Sequence, residues 1–460
     1  MTASPQETPD AAPPAAAPDP IAIVRSRAYV QGLVLAALIG LPVAAIAYGF
    51  LALVQWLQKY IFNQLPGHLG FTTSPVWWPI PFVALAGLLV ALTITYLPGN
   101  AGHSPSDGFK TGKPTLPIEI PGVFFAALAT LALGAVLGPE APLIALGSGL
   151  GMLAVHLIKK DAPPSAAALI ASAGSFAAIS TLLGSPLLGS FLLLEAAGIG
   201  GLMLGVALLP GLLAAGVGSL VFVGLDSLTG QGTFSLAISG LPSFKTPTGV
   251  MFLWAIALGL LLPLLGWAIY AIARIVRPLV HANRLVTTTI FGALIALIAI
   301  GFAEASGKSY QEVLFSGQSA LPGLVTNAAS WSIGALVLLL IAKALAYALS
   351  LSSFRGGPVF PGMFIGGAAG LLASHLPGMS LVPAVGIGIG AMSVSMLRLP
   401  FTSVMLATLL LTSDGLAIMP LVIVAVVVAY VVTLRLPDAP GGLSLGGRFA
   451  KTPEPASAGG

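Results

Sequence analysis

Apolar stretches follow one another along almost the whole chain, at about 28–58, 76–97, 122–158, 166–183, 186–224, 248–276, 285–302, 331–352, 358–376, 381–397, 400–412 and 416–436. A helix needs about 20 residues to cross a hydrocarbon layer roughly 30 Å thick. Several of these stretches are shorter, and others are broken at Gly138-Pro139, Ser185-Pro186 and Gly357-Pro358. Backbone that leaves a helix at membrane depth is tolerated only inside the protein or along a cavity. The pattern therefore predicts an all-α polytopic membrane protein with many broken half-helices. The polar ends carry no apolar run: 1–27 is Pro/Ala-rich, 437–460 is Pro/Gly/Ser-rich, and both read as disordered tails. Between them, 28–436 forms one transmembrane domain with halves at about 28–225 and 248–436. The N-terminal tail lacks the positive start of a signal peptide, and no soluble regulatory module is expected after the last span. Arg25 and Arg27 stand directly before the first span, which argues for a cytoplasmic N-terminus.

Composition narrows the function classes. The chain is 57% hydrophobic and 7% charged, with mean hydropathy +1.01, whereas a soluble domain carries about 25% charge. A soluble enzyme, a disordered protein and a nucleic-acid binder are excluded on that ground. With 56 Gly and 37 Pro among 460 residues, the chain has the makings of close helix packing and interrupted helices. There is no cysteine, and His68, His103, His156, His281 and His375 lack metal-ligand spacing, so no metal and no cofactor is expected. The charged loops hold Lys110, Lys113, Lys159, Lys160, Arg274, Arg277 and Arg284.

An internal repeat links two of the breaks. GPEAPLIALGSGLGMLAVHL (138–157) and GPVFPGMFIGGAAGLLASHL (357–376) share nine identities in 20 positions at an offset of 219, among them Gly138/Gly357, Pro139/Pro358, Gly147/Gly366, Gly151/Gly370 and His156/His375. Pro186 matches Pro400 at an offset of 214. Broken helices at matching positions of two homologous halves point to a transport site at the repeat interface. Proline just inside a helix start is favoured, so each Gly-Pro pair predicts the start of a half-helix. Such a start presents free N–H groups and about half a positive charge. Two starts near the midplane would hold an anion weakly enough to release it. Gly147, Gly151, Gly366 and Gly370 would give close helix contacts behind that site.

Five acids lie in apolar surroundings: Glu140, Glu195, Glu304, Glu312 and Asp414. Glu140 falls in the first turn of a half-helix, where its carboxylate would occupy the anion site and its protonated form would release it; we read it as the gate. The repeat partner is Val359, so the fold itself does not require an acid there. Glu195 ends an apolar run and is read either as a proton relay or as half of a salt bridge. Glu304 and Glu312 flank a Gly/Ser-rich loop and are expected to be solvated. Lys343 and Arg398 are expected to snorkel or to satisfy helix C-termini, and His156 and His375 to pack rather than ligate.

At these residues the chain resembles the CLC family of chloride channels and chloride/proton antiporters. FFAALATLALGAVLGPEAP (124–142) is similar to the family's glutamate signature and RGGPVFPGMFIGG (355–367) to its Gly-x-Phe-x-Pro signature. SPLLGSFLLLEA (185–196) and RLPFTSVMLATLL (398–410) are similar to two further segments, and GHSPSDG (102–108) loosely to the first signature. The resemblance implies an inverted repeat of about 18 membrane helices and a homodimer with one pore per subunit. It also implies cytoplasmic termini in the inner (plasma) membrane, and it points to a divergent bacterial branch of the family.

The sequence departs from the pattern at named places. Proline stands at 139 in place of a basic residue, and Pro358 replaces a residue whose N–H would help bind the anion. Proline has no N–H, so the remaining donors are those of Glu140, Ala141, Val359 and Phe360. The family's central serine corresponds to Ser104, or to His103 if the glycine alone sets the alignment. The antiporters' second glutamate follows the position of Glu195, where this chain has Ala196. The pore tyrosine falls by spacing close to Gly441, with Tyr430 a poor substitute.

The expected function is transmembrane anion transport through a CLC-like pore gated by Glu140, with chloride as substrate. Fluoride or another small anion is the alternative, and protons are a further partner if transport is coupled. Membrane lipid surrounds the chain. A membrane-embedded scaffold or enzyme is a distant alternative, since no nucleophile–base pair, metal cluster or nucleotide loop is visible. Coupling stays open between uncoupled anion flow and coupling through Glu195 and a water chain.

Overall fold

The computed structural model describes residues 20–109, 113–158, 160–198, 203–229, 237–238, 240–411 and 414–438. The expected tails lie largely outside these residues. Where the described chain begins, however, it is helical: α1 (Pro20–Arg25) precedes α2 (Arg27–Lys59), and the Ser26 hydroxyl accepts the Tyr29 N–H at 3.1 Å as the cap of α2. The expectation of disorder through residue 27 is thus corrected for residues 20–27, because a capping serine between two apolar turns lets the helix start early.

The first half continues with α3 (Leu65–His68), α4 (Pro79–Tyr96), α5 (Ile120–Ala132), α6 (Glu140–Ile158), α7 (Pro164–Leu183), α8 (Pro186–Ala197) and α9 (Met203–Thr229). The second comprises α10 (Gly249–Ala282), α11 (Arg284–Ser306), α12 (Ala320–Thr326), α13 (Ile333–Ser353), α14 (Val359–Ala373), α15 (Leu381–Leu397), α16 (Pro400–Leu410) and α17 (Gly415–Arg435). Among the described residues nine helices are long and apolar enough to cross a membrane, and five more apolar helices, of 10–17 residues, are too short to do so. The expectation of a polytopic all-α protein with half-helices holds. The break expected at Gly138-Pro139 is where 122–158 divides into α5 and α6, whereas 186–224, read as one stretch, divides into α8 and α9 at a place the sequence reading did not mark.

The two halves use the same packing device. In the first, Gly147 of α6 faces Gly174 of α7 so closely that a Cβ on either would strike the other's backbone, and Gly151 lies against Ile170 and Ala171. In the second, Gly366 of α14 faces Gly388 of α15 and Gly370 lies against Ala384 and Val385 in the same way. Small residues let helix backbones approach where lipid offers no hydrophobic drive for association. The glycines picked out by the repeat therefore do pack behind the half-helix starts, each against a partner on the next helix.

Candidate functional site

The site is built where α6 and α14 begin. After α5 the chain turns at Gly134 (φ 108°), and the Val136 N–H donates to the Ser350 hydroxyl of α13 at 3.0 Å. This anchors the segment to the second half. Gly138 and Gly357 then form an isolated antiparallel bridge: the Gly138 N–H reaches the Gly357 carbonyl at 2.8 Å, and the Gly357 N–H reaches the Gly138 carbonyl at 2.6 Å. These residues are repeat mates at the offset of 219. A residue paired with its own mate places the pseudo-twofold relation between the halves at that pair, and the two half-helices start side by side there.

The prolines sit one position earlier than expected. Pro358 is the N-cap of α14 rather than its first helical residue, and Pro139 directly precedes Glu140, the first residue of α6. Their carbonyls already accept helical bonds, from Gly362 at 3.4 Å and from Leu143 at 3.0 Å. The first free donors therefore begin with Glu140 and Val359, as the missing proline N–H groups require.

Glu140 is fully buried, at 0% exposure. Its Oε1 accepts the Phe360 N–H at 2.7 Å, across the repeat interface. The N–H groups of Glu140 itself and Val359 also face the carboxylate, without completing a hydrogen bond. Oε2 is buried and has no hydrogen-bond partner. The carboxylate lies over the two glycines: a Cβ on Gly138 would meet only its atoms among the three nearest, and one on Gly357 would also come within 3.1 Å of the Ala141 nitrogen. Glu140, Ala141, Val359 and Phe360 are thus brought together at one point. One carboxyl oxygen occupies the donor field of the opposing half-helix, and the second has no hydrogen-bond partner.

The remaining sequence candidates take no part in the Glu140 hydrogen bond. His103 is exposed, and the Ser104 hydroxyl is bonded to that of Ser106 at 2.9 Å beside the short turn Pro105–Asp107. Neither makes a hydrogen bond to the Glu140 site. Among the described residues Glu195 pairs with no basic residue: Oε1 accepts the Phe401 N–H at 2.9 Å, and Oε2 accepts the Thr402 N–H at 2.7 Å and the Thr402 hydroxyl at 2.6 Å. It closes the first turn of α16, correcting the salt-bridge alternative. Ala196 is buried and Tyr430 is half-buried on α17, while Gly441 lies outside the described residues. Glu304 is exposed as expected, but Glu312 is half-buried with an unpartnered Oε2, and burial raises its carboxyl above the usual 4.5.

Lys343 corrects a second expectation. It does not snorkel: it is fully buried and donates to the carbonyl of Glu312, the last residue of the short 3-10 helix Tyr310–Glu312, at 3.1 Å, and to those of Leu314 at 2.8 Å and Phe315 at 3.1 Å in the loop that follows. Its ammonium stands 4.5 Å from the centre of the Phe364 ring on α14. Sequence reasoning also missed Tyr347, one turn further along α13, whose hydroxyl donates to the Pro358 carbonyl at 2.9 Å. Its signal was available: an aromatic hydroxyl in an apolar span needs a partner when buried. Among the described residues no group of three or more His, Asp or Glu could hold a metal.

Broken helices from two matched halves, meeting over one buried carboxylate, define a polytopic anion transport protein. Residues 108–434 match the model of the voltage gated chloride channel family, and the chain belongs to that family, the CLC family of the resemblance. It is 27% identical over 347 residues to the "Putative ion-transport protein YfeO" of Escherichia coli O139:H28 (strain E24377A / ETEC), covering 74% of this chain and 78% of that one. The Escherichia fergusonii protein of the same name matches equally. Among solved structures, a slow cyanobacterial Cl-/H+ antiporter superposes with a TM-score of 0.72 at 20% identity, over 88% of this chain and 94% of that one. A CLC-type fluoride/proton antiporter superposes at 0.69 with 19% identity, over 88% and 95%.

Proposed function

We propose that the chain carries chloride across the inner (plasma) membrane through a pore gated by Glu140, as a homodimer with cytoplasmic termini. The observation that carries this reading is the Glu140 carboxylate held on the Phe360 N–H between two paired half-helix starts. The carboxylate takes the place that two helix N-termini offer an anion. When it is ionised the site is filled and closed. A proton on the unpartnered Oε2 removes the charge that holds it there, and the side chain gives way to the anion. Flux should therefore rise as the pH bathing Glu140 falls. Fluoride is the second reading, supported by the likeness in fold to a fluoride/proton antiporter.

The test is anion efflux from proteoliposomes. Glu140→Gln carries the neutral form at every pH, and its flux should be high and independent of pH. A variant that keeps the wild-type pH profile would remove Glu140 from the gate.

A further inference from the structure

A groove of about 580 Å³ lies where α2, α4 and α5 meet, and none of its lining residues belongs to the Glu140 site. Leu57 of α2 and Ile61 just beyond it, Leu89 and Tyr96 of α4, and Phe125 and Ala132 of α5 mark its walls. Ile61 sits in a π-helical turn, Tyr60–Gln64, and turns of this kind are frequent at functional sites. The polar groups at the walls are satisfied within the protein. The Thr93 hydroxyl donates to the Leu89 carbonyl at 2.8 Å, and the Gln58 amide donates to the Leu131 carbonyl at 2.7 Å, which ties α2 to the end of α5. A space without free polar partners is a poor site for water. Leu97, which caps α4, packs against Gly122, so α5 runs back along α4. The groove follows both helices, from Leu89 to Leu97 and from Leu133 to Phe125, about 12 Å at a rise of about 1.5 Å per residue.

Its position and shape select the occupant. Among the described residues α4 is one of the nine helices able to cross a membrane. Its Leu85, Leu88 and Leu89 are exposed, as is Phe125 of α5, so the groove is continuous with the face that these helices turn to lipid. At the end of α4, Tyr96 is 72% exposed, and tyrosine is favoured at the level of the headgroups. The groove therefore opens where a headgroup lies and leads inward from it. Its length and volume give a mean cross-section of about 50 Å². A helix about 10–12 Å across needs roughly twice that, so a hydrocarbon chain fits and a helix of another protein does not. We propose that this groove is a seat for one phospholipid, whose acyl chain lies along α4 and α5 with its headgroup beside Tyr96. A ligand held only by the folded protein raises its stability by mass action. The seated chain also braces α5 directly before the turn at Gly134 that leads to Gly138 and the gate. The binding itself does not depend on which anion the protein carries.

The test is native mass spectrometry of the delipidated full chain at fixed detergent concentration, titrated with dioleoyl phosphatidylcholine. Wild type should retain one lipid per chain and melt at a higher temperature with lipid than without. Ala129 lines the groove, and Ala129→Phe places a ring where the chain would lie. Exclusion of only two methylenes weakens binding about tenfold, so this variant should retain lipid at least about tenfold more weakly and lose the lipid-dependent rise in melting temperature. Leu89→Trp, at a wall position that is already exposed, should do the same and covers the case in which the phenylalanine variant does not fold. On wild type alone, dihexanoyl phosphatidylcholine, with the same headgroup and short chains, should bind at least about tenfold more weakly than the dioleoyl lipid. No retained lipid in wild type, equal retention in the folded variants, or equal binding of the two lipids overturns the seat. A wild-type dimer that becomes monomeric in Leu89→Trp would give the groove to a second copy of the chain and overturn the lipid reading.

Discussion

At the scale of single residues, what matters at the gate is the absence of two side chains. Gly138 has an ordinary φ, so it is not needed there for its backbone freedom. It is needed because the Glu140 carboxylate fills the space its Cβ would take. Those carboxylate atoms are the flexible end of a side chain, so Gly138→Ala should fold and push the carboxylate off the Phe360 N–H. We expect it to raise anion flux at high pH towards the Glu140→Gln level, with a melting temperature close to wild type. In a Glu140→Ala background it should add nothing, and a further rise in efflux there would contradict the argument. Lys343 poses the opposite case, a side chain that cannot be removed. Lys343→Met would strand one buried and two partly buried carbonyls; a buried one left unsatisfied costs about 1–3 kcal/mol, so a loss of about 2 kcal/mol or more is expected in thermal melts. Glu140 was legible in the sequence because an acid opened an apolar half-helix whose mate carried Val359. The trap around Lys343 was not, since periodicity alone cannot tell a lysine reaching for the interface from one surrounded by a loop 28–31 residues away in the chain.

At the scale of elements, the repeat was legible because packing imposed it twice. Gly147 and Gly366 are matched in sequence, and each presses on a glycine of the following helix, Gly174 or Gly388. Identity at an offset, however, does not say which mates touch. Gly138 and Gly357 were visible as a matched pair, but their mutual hydrogen bonds depend on how the halves come together. The same limit hid the partner of Glu195. Read along the chain, Glu195 ends α8; in space it receives the first N–H groups of α16, which would otherwise lie unpaired beside Phe401 and Thr402. A carboxylate suits this place both as acceptor and as the negative charge a helix start prefers. Glu195→Gln replaces one acceptor oxygen by a donor that faces donors. We expect it to lower stability by about 1–3 kcal/mol, read as an earlier melt, while leaving the pH dependence of anion flux unchanged. A shifted pH profile with an unchanged melt would restore the relay reading.

At the scale of the whole molecule, two matched halves enclose one site at their shared bridge, and the outcome of transport depends on who else can reach it. In the proposed mechanism, an anion needs only the donor field of Glu140, Val359 and Phe360 to open. A coupled proton needs in addition a titratable path from the other face to Glu140. The position after Glu195 holds Ala196, which is buried and carries no proton, and both oxygens of Glu195 are engaged with α16. The likeness of fold to two proton antiporters leaves this open, because the shared architecture fixes the half-helices and not the side chains along a proton route. We propose uncoupled flow. In proteoliposomes with a chloride gradient and no initial pH difference, anion should move without proton uptake. The current should then reverse at the chloride equilibrium potential, whatever pH difference is imposed. Proton movement driven by the anion gradient, persisting in Glu195→Gln, would show that the chain has a proton route that avoids both Glu195 and Ala196. The uncoupled reading would then be wrong even with Glu140 as the gate.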